Sequence, residues 1–168
     1  MTAIARLLHN PVTDSMQFFP SKDYQVHCQK LFEDYQSTIQ KYLPHAQIEH
    51  IGASAIPNCQ SKGDLDIYVA VDNVEQAIAT IEQLNFKIKK NTLRTPQLCM
   101  LESQKSEDVA IQLVEKGSEF ENFLHFRDKL SSNPKLVEQY NQMKLSCTGF
   151  TQEKYREVKS RFIEKVLG

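Results

Sequence analysis

The sequence lacks the features that mark several broad classes of protein. No apolar run approaches the ~18 residues that a membrane-spanning helix needs. The N-terminal MTAIARLLHNP has neither a long apolar region nor a small-residue cleavage site. The 20 basic residues nearly balance the 21 acidic ones, which gives no support for broad electrostatic binding to nucleic acid or to a membrane and leaves only a local basic groove open. We therefore expect a cytoplasmic protein without a membrane partner.

Several motifs are missing as well. The four cysteines, Cys28, Cys59, Cys99 and Cys147, form no Cys-x-x-Cys pair and have no histidines in a zinc-type arrangement, so we expect free thiols. The glycine-rich fingerprints of dinucleotide and P-loop sites are absent. No repeat or linker divides the 168 residues, and a chain of this length can bury one core. The sequence thus predicts a single domain over residues 1–168.

The first half of the chain mixes helical and strand patterns. Apolar residues three or four apart in PSKDYQVHCQKLFEDYQSTIQKYLP predict an amphipathic helix that begins near Ser21. A strand over Gln47 to Ile51, a loop to Gly63 and a strand over Asp64 to Val71 follow, and Asp72 is expected to cap the next helix. The segments FKIKK, LCMLES and DVAIQLVE read as three more strands.

After Gly117 the pattern changes to helices. Ser118 and Thr151 are predicted caps, and Pro134 suits a first helical turn. The order of elements predicts an α/β (α+β) fold, with a mixed or antiparallel sheet flanked by helices over residues 16–116 and a helical C-terminal extension over residues 117–168.

Two acids stand at the beginning of a strand that is otherwise apolar. Residues two apart in a strand point to the same face, so Asp64 and Asp66 present their carboxylates side by side. Close anions need a shared proton, a basic partner or a cation. Hard oxygen ligands on a rigid strand suit Mg²⁺, or Mn²⁺ in its place. The competing interpretation is that both acids are solvated residues at a strand end.

The loop before the acids has the composition of a phosphate site. Gly52 permits close approach of the backbone, Ser54 offers a hydroxyl, and Lys62 supplies a positive charge. His50, on the strand before the loop, is predicted either to orient a carboxylate or phosphate or to be a satisfied histidine of the sheet. The same stretch could also be only a long turn.

A third acid would strengthen the metal hypothesis. Asp108 starts the strand DVAIQLVE and shares a face with Ala110 and Gln112, whereas Val109 and its alternate neighbours face the core. Asp108 is therefore the candidate third ligand or base, although it could equally be a turn residue.

The segment IEHIGASAIPNCQSKGDLDIYVAV resembles the hallmark segment of the GrpB-like family, whose members resemble the nucleotidyltransferase superfamily in fold. FFPSKDYQVHCQKLFEDYQSTIQKYL resembles the leading helix of the family, and LVEKGSEFENFLHFRDKLSSNPKLVEQYNQMK resembles its later helices. The resemblance extends from about Met16 to Lys165.

The resemblance implies that Asp64 and Asp66 bind metal and that Gly52 and Ser54 contact a triphosphate. Ala110 departs from the pattern, because active nucleotidyltransferases often place a third acid near this position. Gln112 also departs from it, since many GrpB-like members carry a histidine there. In the helical part, Arg127 and Asp128 match a family motif, but an ion pair that fixes the helices against the sheet is a sufficient explanation for them.

Two functional hypotheses follow. The first is Mg²⁺-dependent transfer of a nucleotidyl group from a nucleoside triphosphate to a hydroxyl of an unidentified small molecule or protein. The second is a non-catalytic accessory or ligand-binding module that keeps the fold. The sequence identifies neither the nucleotide nor the oligomeric state.

Overall fold

The structure, a computed structural model, describes residues 15–168. The N-terminal MTAIARLLHNP, which lacks the features of a signal peptide, lies outside these residues. The strands within them are β1 (Gln47–Ile51), β2 (Leu65–Val71), β3 (Phe86–Ile88), β4 (Leu98–Ser103) and β5 (Val109–Glu115). The helices are α1 (Gln25–Tyr42), α2 (Val74–Glu82), α3 (Asn122–Ser131), α4 (Pro134–Ser146) and α5 (Gln152–Leu167).

The sheet has the order β1-β2-β5-β4-β3. Only β2 and β5 pair in parallel, whereas the other neighbours are antiparallel, which confirms the predicted mixed α+β sheet. In the parallel pair Leu65 lies opposite Val109, and the Leu65 N–H donates to the Asp108 carbonyl at 2.9 Å. The beginnings of β2 and β5 therefore lie side by side, each preceded by an aspartate.

One face of the sheet carries the larger apolar core, against α1 and α2. Its residues from β2 and β5 are the alternate positions that the sequence pattern assigned to the core, namely Leu65, Ile67, Val69, Val109, Ile111 and Leu113. Burial of this amphipathic surface stabilises the two helices more than their intrinsic propensity does. All four cysteines are buried and free.

The C-terminal helices α3, α4 and α5 cover the opposite face. The α3 residue Arg127 donates to the His50 carbonyl at 3.0 Å and lies 2.9 Å from Glu49 of β1. This contact joins the helical part to the edge of the sheet, as expected for a fixing ion pair. None of the helices in the described part of the chain is both long and apolar enough to cross a membrane.

Three predicted helix starts need correction. A 3-10 turn over Ser21–Asp23 precedes α1, so Ser21 is not its cap. The cap of α2 is Asn73 rather than Asp72, because the Asn73 side chain accepts from the Gln76 N–H. Ser118 makes no capping bond, since the 3-10 turn Glu119–Glu121 separates it from α3. The predicted Thr151 cap is confirmed, and so is Pro134 in the first turn of α4.

Candidate metal and phosphate site

The two carboxylates predicted as metal ligands lie where β2 begins. Asp64 directly precedes the strand, and Asp66 is its second residue, so both point to the face that the C-terminal helices cover. Both are half-buried. Lys62 lies 3.5 Å from Asp64, and the Gln112 side chain donates to Asp66 at 3.3 Å. The sheet therefore presents two adjacent acids to a partly enclosed space.

Gly52 brings the backbone of the preceding loop against one of these acids. A Cβ at this position would lie 2.6 Å from Oδ2 of Asp66, which is closer than any side chain tolerates. Gly52 also has φ 75° and ψ −174°, a combination that is essentially restricted to glycine. The loop thus reaches the acid pair closely because the residue has no side chain. The predicted contact of Gly52 with a phosphate stays a prediction.

The two acids have different proton affinities. Burial, and then the charge of Asp64, raise the pKa of Asp66 to about 6. Burial also acts to raise the pKa of Asp64, but the charges of Lys62 and Lys159 outweigh it and hold that pKa below its ordinary value. A cation would relieve the repulsion that the pair experiences, so the donor set fits a hard divalent ion.

A second lysine approaches the acids from the C-terminal helix. Lys159 of α5 lines the same space as Lys62, Asp64 and Asp66. Burial acts to lower the pKa of the Lys159 ammonium, but its surroundings, first Tyr155 and then Asp66, raise that pKa above its ordinary value. Lys159 is therefore positively charged beside the acid pair.

These groups open into a cavity of about 730 Å³ between the sheet and the C-terminal helices. Its wall on the α3 side is aromatic, with Phe120 and Phe123 stacked at a centroid distance of 6.3 Å. Charged side chains and an aromatic pair therefore line the same cavity. The volume falls in the range of small-molecule sites.

Ser54 and His50 lie on the other face of the sheet. The His50 ring stacks on Phe32 of α1, at 5.0 Å between centroids. The Nε2 group of Gln29 donates to Glu33, so the other end of the carboxamide, Oε1, faces the His50 ring. The distance from this oxygen to Nδ1 of His50 is 3.1 Å. That arrangement places the imidazole hydrogen on Nδ1, and the Ser54 hydroxyl then donates to Nε2 at 2.8 Å.

The environment keeps this histidine neutral. Burial, and then the charge of Arg127, lower the pKa of His50 to about 4. Ser54 borders a groove beside α1 rather than the cavity of the two acids. The contact of Ser54 with a triphosphate therefore stays a prediction, and so does the role of His50 at a phosphate or carboxylate.

The sequence profile of the GrpB protein family matches residues 22–168. The chain belongs to the GrpB family. It is 54% identical over 157 residues to a UPF0157 protein of Vibrio cholerae, an alignment that covers 92% of this chain and 84% of that protein. The resemblance inferred from the segment between Ile48 and Val71 is thereby confirmed.

Solved structures have a similar fold. The crystal structure of the conserved protein GrpB from Enterococcus faecalis has a TM-score of 0.67 and 16% identity, and the match covers 90% of this chain and 100% of that one. A structure of the Cid1 poly(U) polymerase with bound MgGTP matches 68% of this chain and 38% of its own, at 16% identity and a TM-score of 0.49.

In this GrpB-family chain the predicted third acid lies beside the pair but is exposed. Asp108 precedes β5. The residue as a whole is exposed, but the protein atoms around its carboxyl partly desolvate that group, and this desolvation, followed by the charge of Asp64, raises its pKa. Among residues 15–168, no three histidine, cysteine, aspartate or glutamate side chains come close enough together to enclose a metal ion. The assignment of Asp108 as ligand or base therefore stays a prediction.

The loop between Gly52 and Asp64 is held from both sides. Phe19 and Ser61 exchange backbone hydrogen bonds of 2.7 and 3.1 Å. On the other side, Asn141 and Lys144 of α4 bind the loop backbone: Asn141 accepts from the Gln60 N–H at 2.7 Å, and Lys144 donates to the Gln60 carbonyl at 2.7 Å. The loop that leads into the acids is therefore a fixed part of the structure.

The sequence interpretation did not identify Lys159 and Lys144. Both follow ordinary helical spacing, and Tyr155, Lys159 and Ile163 share one face of α5. Periodicity shows that such residues share a face, but it does not show what that face contacts. The only available signal was a basic residue within an otherwise apolar helical stripe.

Proposed function

We propose that this protein is a Mg²⁺-dependent nucleotidyltransferase, which transfers a nucleotidyl group from a nucleoside triphosphate to an acceptor hydroxyl. The observation that carries the proposal is the pair Asp64 and Asp66 at the beginning of β2, which lines a cavity of about 730 Å³ together with Lys62 and Lys159. Acids and lysines side by side suit a ligand that combines metal ions with phosphates.

Asp64 and Asp66 would hold the metal, and the donor set fits it. Both are hard oxygen donors on a rigid strand, and the glycine backbone packed against Asp66 restricts the position of that carboxylate. When bound, the metal would supply positive charge that stabilises the transferring phosphoryl group. Mn²⁺ would serve in the same way.

The protein's own groups would bind and orient the triphosphate. Lys62 and Lys159 neutralise phosphate charge, and the approach of the loop at Gly52 allows backbone contacts. The stacked Phe120 and Phe123 offer an apolar surface for a nucleobase. Asp108, which has a raised pKa beside Asp64, is the candidate base for the acceptor hydroxyl.

One observation favours a second candidate, a non-catalytic module that binds a ligand. Ala110 lies directly opposite Asp66 in the parallel pair of strands, and its methyl group cannot ligate a metal or accept a proton. A chain that has lost an acid at this position could keep the fold and the cavity without the chemistry.

The first experiment separates the two candidates. Calorimetric titration with four nucleoside triphosphates, each with and without Mg²⁺ or Mn²⁺, would be followed by assay of pyrophosphate release with candidate acceptors. We expect metal-dependent binding, and we expect Asp64→Asn/Asp66→Asn to abolish it. The matched control is Asp34→Asn/Asp72→Asn, which removes two exposed carboxylates.

Unchanged nucleotide affinity in the first double variant would show that the site assignment is wrong. Metal-dependent nucleotide binding without pyrophosphate release for any acceptor would favour the ligand-binding module. Saturable binding of a protein partner with no response to nucleotides would favour an accessory protein.

A further inference from the structure

One buried polar atom in the cavity wall has no partner within the described residues. Gln112 is only 9% exposed, and it lines the cavity of the two acids. Its Nε2 donates to Oδ1 of Asp66 at 3.3 Å, but its Oε1 accepts no hydrogen bond. A buried carbonyl oxygen without a partner destabilises the fold, because it has lost its hydrogen bonds to water. A group with that cost in a cavity wall points to a ligand that completes it.

The register of the sheet explains why this oxygen can reach the metal site. Asp66 pairs with Ala110, and Gln112 lies two residues further along β5, on the same face. Because Ala110 carries only a methyl group, no side chain fills the space between Asp66 and the longer Gln112. The carboxamide of Gln112 therefore lies against the Asp66 carboxylate, at 3.3 Å from Nε2 to Oδ1.

We propose that Oε1 of Gln112 is a ligand of the divalent cation held by Asp64 and Asp66. It takes the place of an acid at position 110. Amide oxygens are ordinary ligands of hard divalent ions. This inference rests on the proposed metal site, and it does not depend on which group the enzyme transfers.

The hydrogen bond between Gln112 and Asp66 is compatible with this role. The terminal torsion of a glutamine side chain is broad and roughly two-fold, so a half-turn exchanges Nε2 and Oε1. With Nε2 toward Asp66 the amide stabilises the free carboxylate. With Oε1 toward Asp66 two oxygens face each other, which is unfavourable without a cation and favourable with one between them.

The substitution of an amide for an acid has a consequence for affinity. Asp64, Asp66 and Gln112 together carry two negative charges, whereas three acids would carry three. We therefore expect the protein alone to bind a divalent ion weakly and the triphosphate to supply further oxygen ligands. A count of acids alone would then underestimate the number of metal ligands, because a neutral oxygen completes the set.

The test measures Mn²⁺ affinity directly, by the electron paramagnetic resonance signal of the free ion. The full chain is titrated alone and together with a non-hydrolysable triphosphate analogue. Gln112→Met, which keeps the shape but removes the oxygen, should weaken Mn²⁺ binding about 10-fold or more. Gln112→Glu, which adds a charge at the same place, should strengthen it about 10-fold.

Two further variants come from the same face of the sheet. Tyr68→Phe is the control: it removes the other unpartnered polar atom nearby, since Tyr68 is the register partner of Gln112 and its hydroxyl is also unpaired within the described residues. Tyr68→Phe should keep Mn²⁺ affinity within about 2-fold of wild type. Asp108→Asn tests the competing third ligand. Near-ultraviolet circular dichroism confirms that each variant is folded.

Wild-type Mn²⁺ affinity in Gln112→Met would overturn the inference, and so would weaker binding in Gln112→Glu. A 10-fold loss in Asp108→Asn alone would assign the third ligand to Asp108. If Mn²⁺ binding depends on Gln112 but no nucleotide responds, the ligand assignment stands and the proposed function fails. If nucleotide binding needs metal but does not depend on Gln112, the proposed function stands and the assignment of Gln112 as a ligand fails.

Discussion

The segment from Ile48 to Val71 has two sides that differ in chemistry. On the side of α1, His50 and Ser54 form a hydrogen-bonded chain with Gln29, in which both imidazole nitrogens of His50 have partners. On the side of α3 and α5, Asp64 and Asp66 repel each other beside a cavity, and the Gln112 oxygen next to them is unpartnered.

The difference indicates which side is built for a ligand. A satisfied polar network stabilises the fold and has no need of another molecule. Adjacent anions and an unpaired buried oxygen are costly until something binds them. The side of the segment with His50 and Ser54 therefore stabilises the fold, whereas the side with Asp64 and Asp66 is suited to binding a ligand.

The largest effect should come from adding a side chain at the point where the loop contacts Asp66. We expect Gly52→Ala to lower the free energy of unfolding by about 3 kcal/mol, because the backbone conformation there costs about 1–3 kcal/mol for any other residue and the new Cβ would meet Asp66. Urea denaturation measures this change, and metal affinity should fall with it.

Gly63→Ala is the matched control. Gly63 also has a positive φ, of 88°, but a Cβ there would meet nothing within 4 Å. We expect only the backbone cost, about 1 kcal/mol. Equal losses in the two variants would show that the contact with Asp66 is not the cause.

The loop that joins the two sides supplies the next test, through the buried Lys144. Burial lowers the pKa of Lys144 from 10.5 to about 8. Between these values the unfolded chain binds a proton that the folded chain does not, so the stability contributed by this group rises with pH over that window and is lowest below pH 8. We expect a gain of on the order of 2 kcal/mol.

Lys144→Met should remove that alkaline gain when unfolding is measured at pH 7.5 and 9.5. The exposed Lys41→Met serves as the control. If Lys144→Met and wild type have the same dependence on pH, burial does not lower the pKa of Lys144 and the lysine is charged in both states over this range.

The repulsion between the acids should be visible without metal. Because burial and Asp64 raise the pKa of Asp66 from 3.8 to about 6, the folded chain keeps a proton that the unfolded chain loses between these values. Stability therefore falls as pH rises through this window, and the penalty is complete above pH 6. At pH 7.5, in chelator, we expect Asp66→Asn to be about 2 kcal/mol more stable than wild type.

The advantage of Asp66→Asn should disappear below pH 4, where both states of the wild type are protonated. Asp34→Asn, on the exposed side of α1, controls for the removal of a charge. A loss of stability at pH 7.5 would mean that the carboxylate makes favourable contacts that outweigh the repulsion.

The smallest effect should come from the side of α1, where the polar side chains are already hydrogen-bonded to one another. Ser54→Ala removes the hydroxyl that donates to His50 and leaves the imidazole Nε2 without this partner, so we expect a loss of about 1–2 kcal/mol in unfolding free energy. Mn²⁺ and nucleotide affinities should stay within about 2-fold of wild type. The exposed Ser106→Ala is the control.

A 10-fold loss of nucleotide affinity in Ser54→Ala would contradict the separation of the two sides. It would show that the serine leaves the histidine and contacts the triphosphate, as the family resemblance implies.

Local patterns predicted much of the fold. Alternation assigned Val109, Ile111 and Leu113 to the core and their neighbours to the other face, because side-chain direction in a strand depends only on parity. The predicted cap of α2, Asp72, is one residue before the actual cap, Asn73. Asp and Asn cap helices equally well, so the choice between them depends on where the preceding strand ends.

The candidate site was less predictable. Asp64, Asp66, Gly52 and Lys62 lie within 15 residues of one another, and their proximity could be read from the segment. Lys159 approaches from a helix almost 100 residues away. No spacing rule could have placed it beside the acids.

By itself, the sequence determined the family, the mixed sheet and the two acids on one face of a strand, since each follows from local periodicity and a contiguous motif. Only the tertiary structure separated Ser54 and His50 from the acids, because a sheet has two faces and the loop from Gly52 crosses its edge. It also brought Lys159 and Gln112 to the cavity, since packing between helices and strand register join residues that the chain keeps far apart.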